Sequence, residues 1–224
     1  MFEAVQLAEK VWLFKDAIDR PKEFFRSISG WVPVGNQPYM ETAIVPTKQF
    51  LEDTDEAIMK CLDIYYLNNQ HLNDLNYKLA QFTHYYRRGA GEGYGDHTDF
   101  ARLPDDTFSP VQATILGYYS DPDEYEGGEI FFSDYDVSIK PEAGSIIIFG
   151  DKVLHGVAEV TGGTRTLSSV FLLKNRTWEK QTGINLSTLT KEDERWIREN
   201  SPQYERKNGV WNSSVSEPIE KLEG

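Results

Sequence analysis

An all-β sandwich or jelly roll, braced by a few helices, is the fold class this sequence predicts. Three observations predict it. Short apolar runs follow one another at Leu79–Arg87, Val111–Ser120, Glu129–Phe132, Val137–Lys140, Ser145–Phe149, Val153–Val157 and Arg165–Lys174. Turn signals separate them: Asp121-Pro122, Gly127-Gly128, Pro141-Glu142-Ala143-Gly144 and Gly162-Gly163. No helical period intervenes, which is the texture of sheet on sheet and not of alternating strands and helices.

The elements follow in order. Val11 to Phe14 reads as a short strand, and Pro21-Lys22-Glu23-Phe24-Phe25 as a helix start with proline in its first turn. Asn36-Gln37-Pro38 and Pro46 mark turns, and Trp12, Trp31 and Tyr39 are packing residues. From Asp53 the period lengthens. Ala57, Cys61, Ile64 and Tyr65 recur at helical spacing, predicting an amphipathic helix to Asn69 that braces a sheet and buries Cys61. Asn68 to Asn76 is a connector with His71 solvated, and Phe100 to Pro110 is a loop long enough to cover a mouth. Thr190 with Asp193 starts a short C-terminal helix to Asn200, and Ser201 to Gly224 reads as a peripheral, mobile tail. The expectation is one domain over 1–224: helical and mixed support at 1–78, a jelly-roll core at 79–174, and an extension at 175–224.

Composition narrows the partners. Apolar residues are 39% and aromatics 13%, as in ordered chains, and 224 residues suffice for a sizeable core. The balance of 36 acidic to 23 basic residues leaves −13, which disfavours nucleic acid and anionic membrane. Cys61 is the sole cysteine, so no intrachain disulfide forms, in keeping with a reducing compartment. The opening stretch lacks a signal-peptide core, and no run reaches the roughly 20 apolar residues of a membrane span. A soluble, cytoplasmic protein is expected, with monomer and homodimer both open.

The chemistry gathers at Tyr85 to Phe100, where a β-like run loosens through Gly89, Gly91, Gly93 and Gly95 and then presents His97 and Asp99. In extended chain alternate side chains point the same way, so this imidazole and carboxylate converge. His155, at the end of a later apolar run, is a third candidate ligand. Two histidines and one carboxylate suit a divalent metal with open positions, Fe(II) foremost. An isolated His-x-Asp is commonly only a loop detail, so the rest of the pattern decides.

That pattern resembles the iron and 2-oxoglutarate dependent dioxygenases, most closely their prolyl 4-hydroxylase-like branch. The matching pieces are Tyr94-Gly95-Asp96-His97-Thr98-Asp99, the run 113–119, Glu126-Gly127-Gly128-Glu129, Pro141 to Phe149, His155-Gly156-Val157 and Arg165, within roughly 79–174. The resemblance implies a double-stranded β-helix (jelly roll) with N-terminal supporting helices and a short C-terminal helix. It makes His97, Asp99 and His155 the metal ligands and Arg165 the holder of the distal carboxylate of 2-oxoglutarate. A planar, permanently charged fork suits that task. Thr114 and Leu116, with Tyr118, are candidates for the cosubstrate wall. The tyrosine before the glycine turn is Tyr85 or Tyr86, and parity with Thr83 and Gln81 favours Tyr85. Tyr94 would line the substrate side. Arg87, Arg88 and Arg102 flank the mouth, where a substrate acid or solvent accounts for them equally.

The implied activity is hydroxylation of an unactivated C–H bond, coupled to conversion of 2-oxoglutarate and dioxygen to succinate and carbon dioxide, with ascorbate as an accessory cofactor. A proline in a peptide or protein is the first substrate, and a free amino acid or small metabolite the second. A different class is a non-oxygenase, cupin-like metal-binding β-sandwich or binding module. Cupins place more histidines around their metal. The pairing of Asp99 with Arg165 is what separates the two classes.

Overall fold

The computed structural model describes residues 2–34, 37–46, 60–65, 68–69, 77–79, 82–99, 111–174, 202–207 and 210–215. Their apolar runs form two sheets. The larger is eleven-stranded: β1 (Glu3–Ala8), β2 (Val11–Lys15), β3 (Val32–Val34), β4 (Gln37–Pro46), β5 (Tyr77–Leu79), β6 (Phe82–Arg88), β8 (Val111–Tyr118), β12 (Ile146–Gly150), β14 (Arg165–Lys174), β15 (Pro202–Lys207) and β16 (Val210–Val215). The smaller holds β7 (Glu92–His97), β9 (Tyr125–Gly127), β10 (Ile130–Phe132), β11 (Val137–Ile139) and β13 (His155–Gly163). All the pairings are antiparallel, as in a jelly roll.

The centre of the larger sheet runs β2-β12-β8-β14, and it is buried on both faces. Strands covered on both sides read as unbroken apolar runs rather than as alternation, which is why Ile146-Ile147-Ile148-Phe149 carries no polar break. Its residues divide by parity. Ile146 and Ile148 join Phe14, Ile115 and Tyr119 in a core beneath helix α1 (Pro21–Ser27), while Ile147 and Phe149 join Leu116, Tyr118 and Phe132 in a second core between the sheets. The functional cavity opens into that second layer. Helix α1 has its proline at the first turn, as the sequence predicts. Of the predicted helix 53–69, residues 60–65 and Asn68 are helical and Asn69 follows them, these being its described residues, and Cys61 is fully buried.

Several expectations are corrected. Residues 1–46 supply four strands besides the helix, because β1 and β2 extend the large sheet at β12 and the β3–β4 hairpin extends it at β6. The stretch expected as a loose glycine turn forms β7 beyond a turn at Ala90-Gly91. Within the expected mobile tail, β15 and β16 pair as a hairpin and β15 continues the sheet beyond β5. The predicted helix at 190–200, the loop at 100–110 with Arg102, and His71 lie outside the described residues. Among the described residues no helix is long and apolar enough to cross a membrane.

Candidate active site

The register of β7 against β13 sets His97 opposite His155, with ring centroids 4.2 Å apart. The turn at 151–154, between β12 and β13, delivers His155 to the start of its strand. Gly156 permits the close approach: a Cβ there would lie 2.8 Å from the Tyr94 carbonyl and 2.3 Å from the Phe131 ring. Asp99 faces both imidazoles, its Oδ1 3.9 Å from His97 Nε2 and its Oδ2 3.9 Å from His155 Nε2. One ligand atom from each of the three residues lies within 4.8 Å of the others.

The supporting contacts fix which nitrogens face inward. His97 Nδ1 meets the Gly95 carbonyl at 2.9 Å, and His155 Nδ1 meets the Val153 carbonyl at 2.9 Å. A carbonyl can only accept, so each Nδ1 carries the proton and each Nε2 offers its lone pair to the shared point. Burial drives the His155 imidazole below its ordinary pKa and favours the neutral form that a metal requires. Thr114 donates its hydroxyl to Asp99 Oδ2, holding the carboxylate in place. Two imidazoles and one carboxylate are the donor set of a metal centre with positions left for small ligands, and Fe(II) fits them.

This group forms one end of a cavity of about 350 Å³. Arg165 stands at the other end and is wholly buried. Its Nη2 donates to the Tyr118 hydroxyl at 3.2 Å, while its Nε and Nη1 have no hydrogen-bond partner among the described residues. A buried guanidinium with donors left over is costly until an anion completes it. The residues present therefore fit both groups, a divalent metal at one end and a carboxylate at the other. The Gly127-Gly128 bend, at φ +67° and +70°, packs against the arginine from behind. A Cβ on Gly128 would lie 3.2 Å from Arg165 Cδ.

Thr114 and Leu116 line the cavity, as the sequence suggests, and so does Tyr94, half exposed with its ring edge-on to His97 at 4.4 Å. Three placements are corrected. Tyr85 faces away, into the core with Phe24, Phe25 and Tyr119; Tyr86 lines the cavity. Arg87 faces the same way as Tyr85, with its guanidinium 3.9 Å from the Trp31 ring and 3.6 Å from Glu41. Arg88, expected at the rim, instead belongs to the cavity wall. Sequence reasoning misses Val34 and Met40 on that wall, because nothing in the alternation of 32–46 announces strands beside a site.

A jelly roll that holds two histidines and a carboxylate at the mouth of a cavity ending in a buried arginine defines the mononuclear metal class of this fold. A family model described as the 2OG-Fe(II) oxygenase superfamily matches residues 80–173. A PKHD-type hydroxylase of Caulobacter sp. (strain K31) is 40% identical over 87 residues, 37% of this chain and 38% of that protein. One from Nitrosomonas europaea is 31% identical over 163 residues, 65% of this chain and 66% of that protein. The chain thus spans less than two thirds of the length of these relatives. The crystal structure of a viral collagen prolyl hydroxylase from Paramecium bursaria Chlorella virus-1, as its 2OG complex, shares the fold at TM-score 0.58 and 19% identity, over 75% of this chain and 98% of that one. A Pseudomonas putida prolyl-4-hydroxylase does so at TM-score 0.53 and 14% identity, over 75% and 95%. Residues 80–173 thus match the 2OG-Fe(II) oxygenase superfamily, and the chain is similar to PKHD-type hydroxylases over part of its length.

Proposed function

We propose that this chain is an Fe(II)- and 2-oxoglutarate-dependent dioxygenase that hydroxylates an unactivated C–H bond, with a prolyl residue of a peptide or protein as substrate. The observation that carries this reading is one cavity with the His97, Asp99 and His155 cluster at one end and the incompletely bonded, buried Arg165 at the other. His97, Asp99 and His155 would hold Fe(II). Held by these residues, Fe(II) would supply the oxidising chemistry, with 2-oxoglutarate and dioxygen consumed and succinate and carbon dioxide formed.

The protein's own task is binding, orientation and exclusion of water. Arg165 takes the distal carboxylate with its two spare donors, which fixes direction as well as charge. Tyr118 holds the guanidinium from the side through its hydroxyl. Leu116, Leu167 and Phe149 give the intervening wall an apolar character that keeps water from the keto acid. Thr114 keeps Asp99 aimed between the histidines. No acid–base pair is needed, since both imidazoles serve as ligands. Tyr94, exposed beside His97, offers a flat apolar face for a proline ring at the open side. The PKHD-type names of the relatives support hydroxylation, and ascorbate belongs to this reading as an accessory reductant.

Anaerobic titration of Fe(II)-loaded protein with 2-oxoglutarate tests it. The expected result is a visible metal-to-ligand charge-transfer band in the wild type that His155→Ala abolishes. Folded, metal-loaded wild type without a band overturns the reading in favour of a non-oxygenase metal-binding sandwich. The substrate is tested separately, with proline-containing peptides against free proline, read by mass spectrometry as the gain of one oxygen atom.

A further inference from the structure

The geometry points to Arg88 as a second cation on the distal carboxylate of the cosubstrate, so that Arg88 and Arg165 together form the anion end of the cavity. This rests on the reading of the cavity as a 2-oxoglutarate site. β6 and β14 are antiparallel, and their register sets Arg88 directly opposite Arg165. Residues so opposed leave the same face of the sheet, with Cα atoms about 4.5–5.5 Å apart. Both side chains line the same cavity.

The Arg88 side chain has two neighbours on this wall. Its guanidinium lies 5.5 Å from the centre of the Tyr86 ring, and Met40 stands opposite it on β4. Its charge reaches the group that Arg165 also touches. Burial raises the pKa of the Tyr118 hydroxyl, and the charges of Arg165 and Arg88 both work against that rise. Like charges directly opposed in a sheet repel, and a low-dielectric wall screens them poorly. An anion between or beside them reverses the sign of that interaction. Among the described lining residues the carboxylate is Asp99, at the histidine end, where Thr114 holds it. A keto acid whose carbonyl end lies at the metal delivers its other carboxylate to the arginine end.

The consequence is that affinity for the dicarboxylate depends on both arginines and falls steeply with salt. Arg88→Gln and Arg88→Lys in the full chain test this, with circular dichroism confirming the fold. Calorimetry on Mn(II)-loaded protein compares 2-oxoglutarate with 2-oxobutyrate, the keto acid without a distal carboxylate. Thermal shift with glutarate on metal-free protein reads the anion end alone. Arg88→Gln is expected to weaken 2-oxoglutarate about tenfold, shrink the glutarate shift, and leave 2-oxobutyrate at wild-type affinity. Arg88→Lys is expected to recover part of the loss. Were Arg88→Gln not to fold, Arg88→Lys with a weakened, less salt-sensitive 2-oxoglutarate affinity supports the proposal, and wild-type affinity overturns it. Wild-type 2-oxoglutarate affinity in Arg88→Gln, with or without a raised KM for the peptide, likewise overturns it, and a raised KM moves Arg88 to the primary substrate. Failure of the wild type to bind either 2-oxoglutarate or glutarate defeats the underlying cosubstrate reading instead.

Discussion

The two sides of β6 carry nearly the same residues and do opposite things. On one side Tyr85 is fully buried among Phe24, Phe25 and Tyr119, and Arg87 is stacked on Trp31 with Glu41 beside it. On the other, Tyr86 and Arg88 line the cavity that holds the histidine cluster and Arg165, and His84 lies buried next to Tyr86. A tyrosine followed two residues later by an arginine occurs on both faces. One copy is core and surface, the other is site. The difference teaches that residue type on this strand says little, and that what each face packs against decides the role.

Tyr85→Ala should show the largest effect on stability. Truncating a wholly buried aromatic costs about 3–5 kcal/mol, expected as a lower urea midpoint, while the protein that remains folded keeps wild-type 2-oxoglutarate affinity. Loss of that affinity at unchanged stability would put Tyr85 at the site after all.

His84 probes how dry the cavity side is. Burial depresses its pKa to about 4 from an ordinary 6.5. Above pH 6.5 both folded and unfolded states carry the neutral ring. Between there and about 4 the unfolded chain takes a proton that the folded protein refuses, so stability falls as pH falls through this window. The full loss is on the order of 3 kcal/mol. Denaturation midpoints at a series of pH values should flatten in His84→Gln; an equally steep profile in that variant would assign the acid sensitivity elsewhere.

Tyr86→Phe should separate the faces most cleanly. Removing a cavity-side hydroxyl is expected to leave the urea midpoint nearly unchanged and to weaken 2-oxoglutarate about fivefold, the worth of roughly 1 kcal/mol. Calorimetry gives the answer, and unaltered binding would confine Tyr86 to shaping the wall. The smallest effect belongs to Arg87→Ala. The stacked guanidinium and its exposed ion pair contribute about 0.5–1 kcal/mol together, read as a small stability loss with cosubstrate affinity untouched.

The sequence alone determined what rests on short-range geometry. His97 and Asp99 are legible because two residues so close in the chain can reach one point, even though β7 ends at His97 and Asp99 lies in the bend that follows it. The strand runs of 111–174 are legible because a sheet buried on both faces needs unbroken apolar stretches, and the Gly127-Gly128 bend because its positive φ admits little else. Tertiary structure decided the rest. Apart from β2, which its own residues announce, the N-terminal strands and the β15–β16 hairpin are strands because a neighbouring edge pairs with them. Tyr86 rather than Tyr85 meets the cavity because β6 is fixed in register by β14 on one side and β4 on the other, and a slip of one residue would exchange its faces. The opposition of Arg88 and Arg165 has the same origin: no local pattern in either segment encodes it, because it exists only once two distant strands lie side by side.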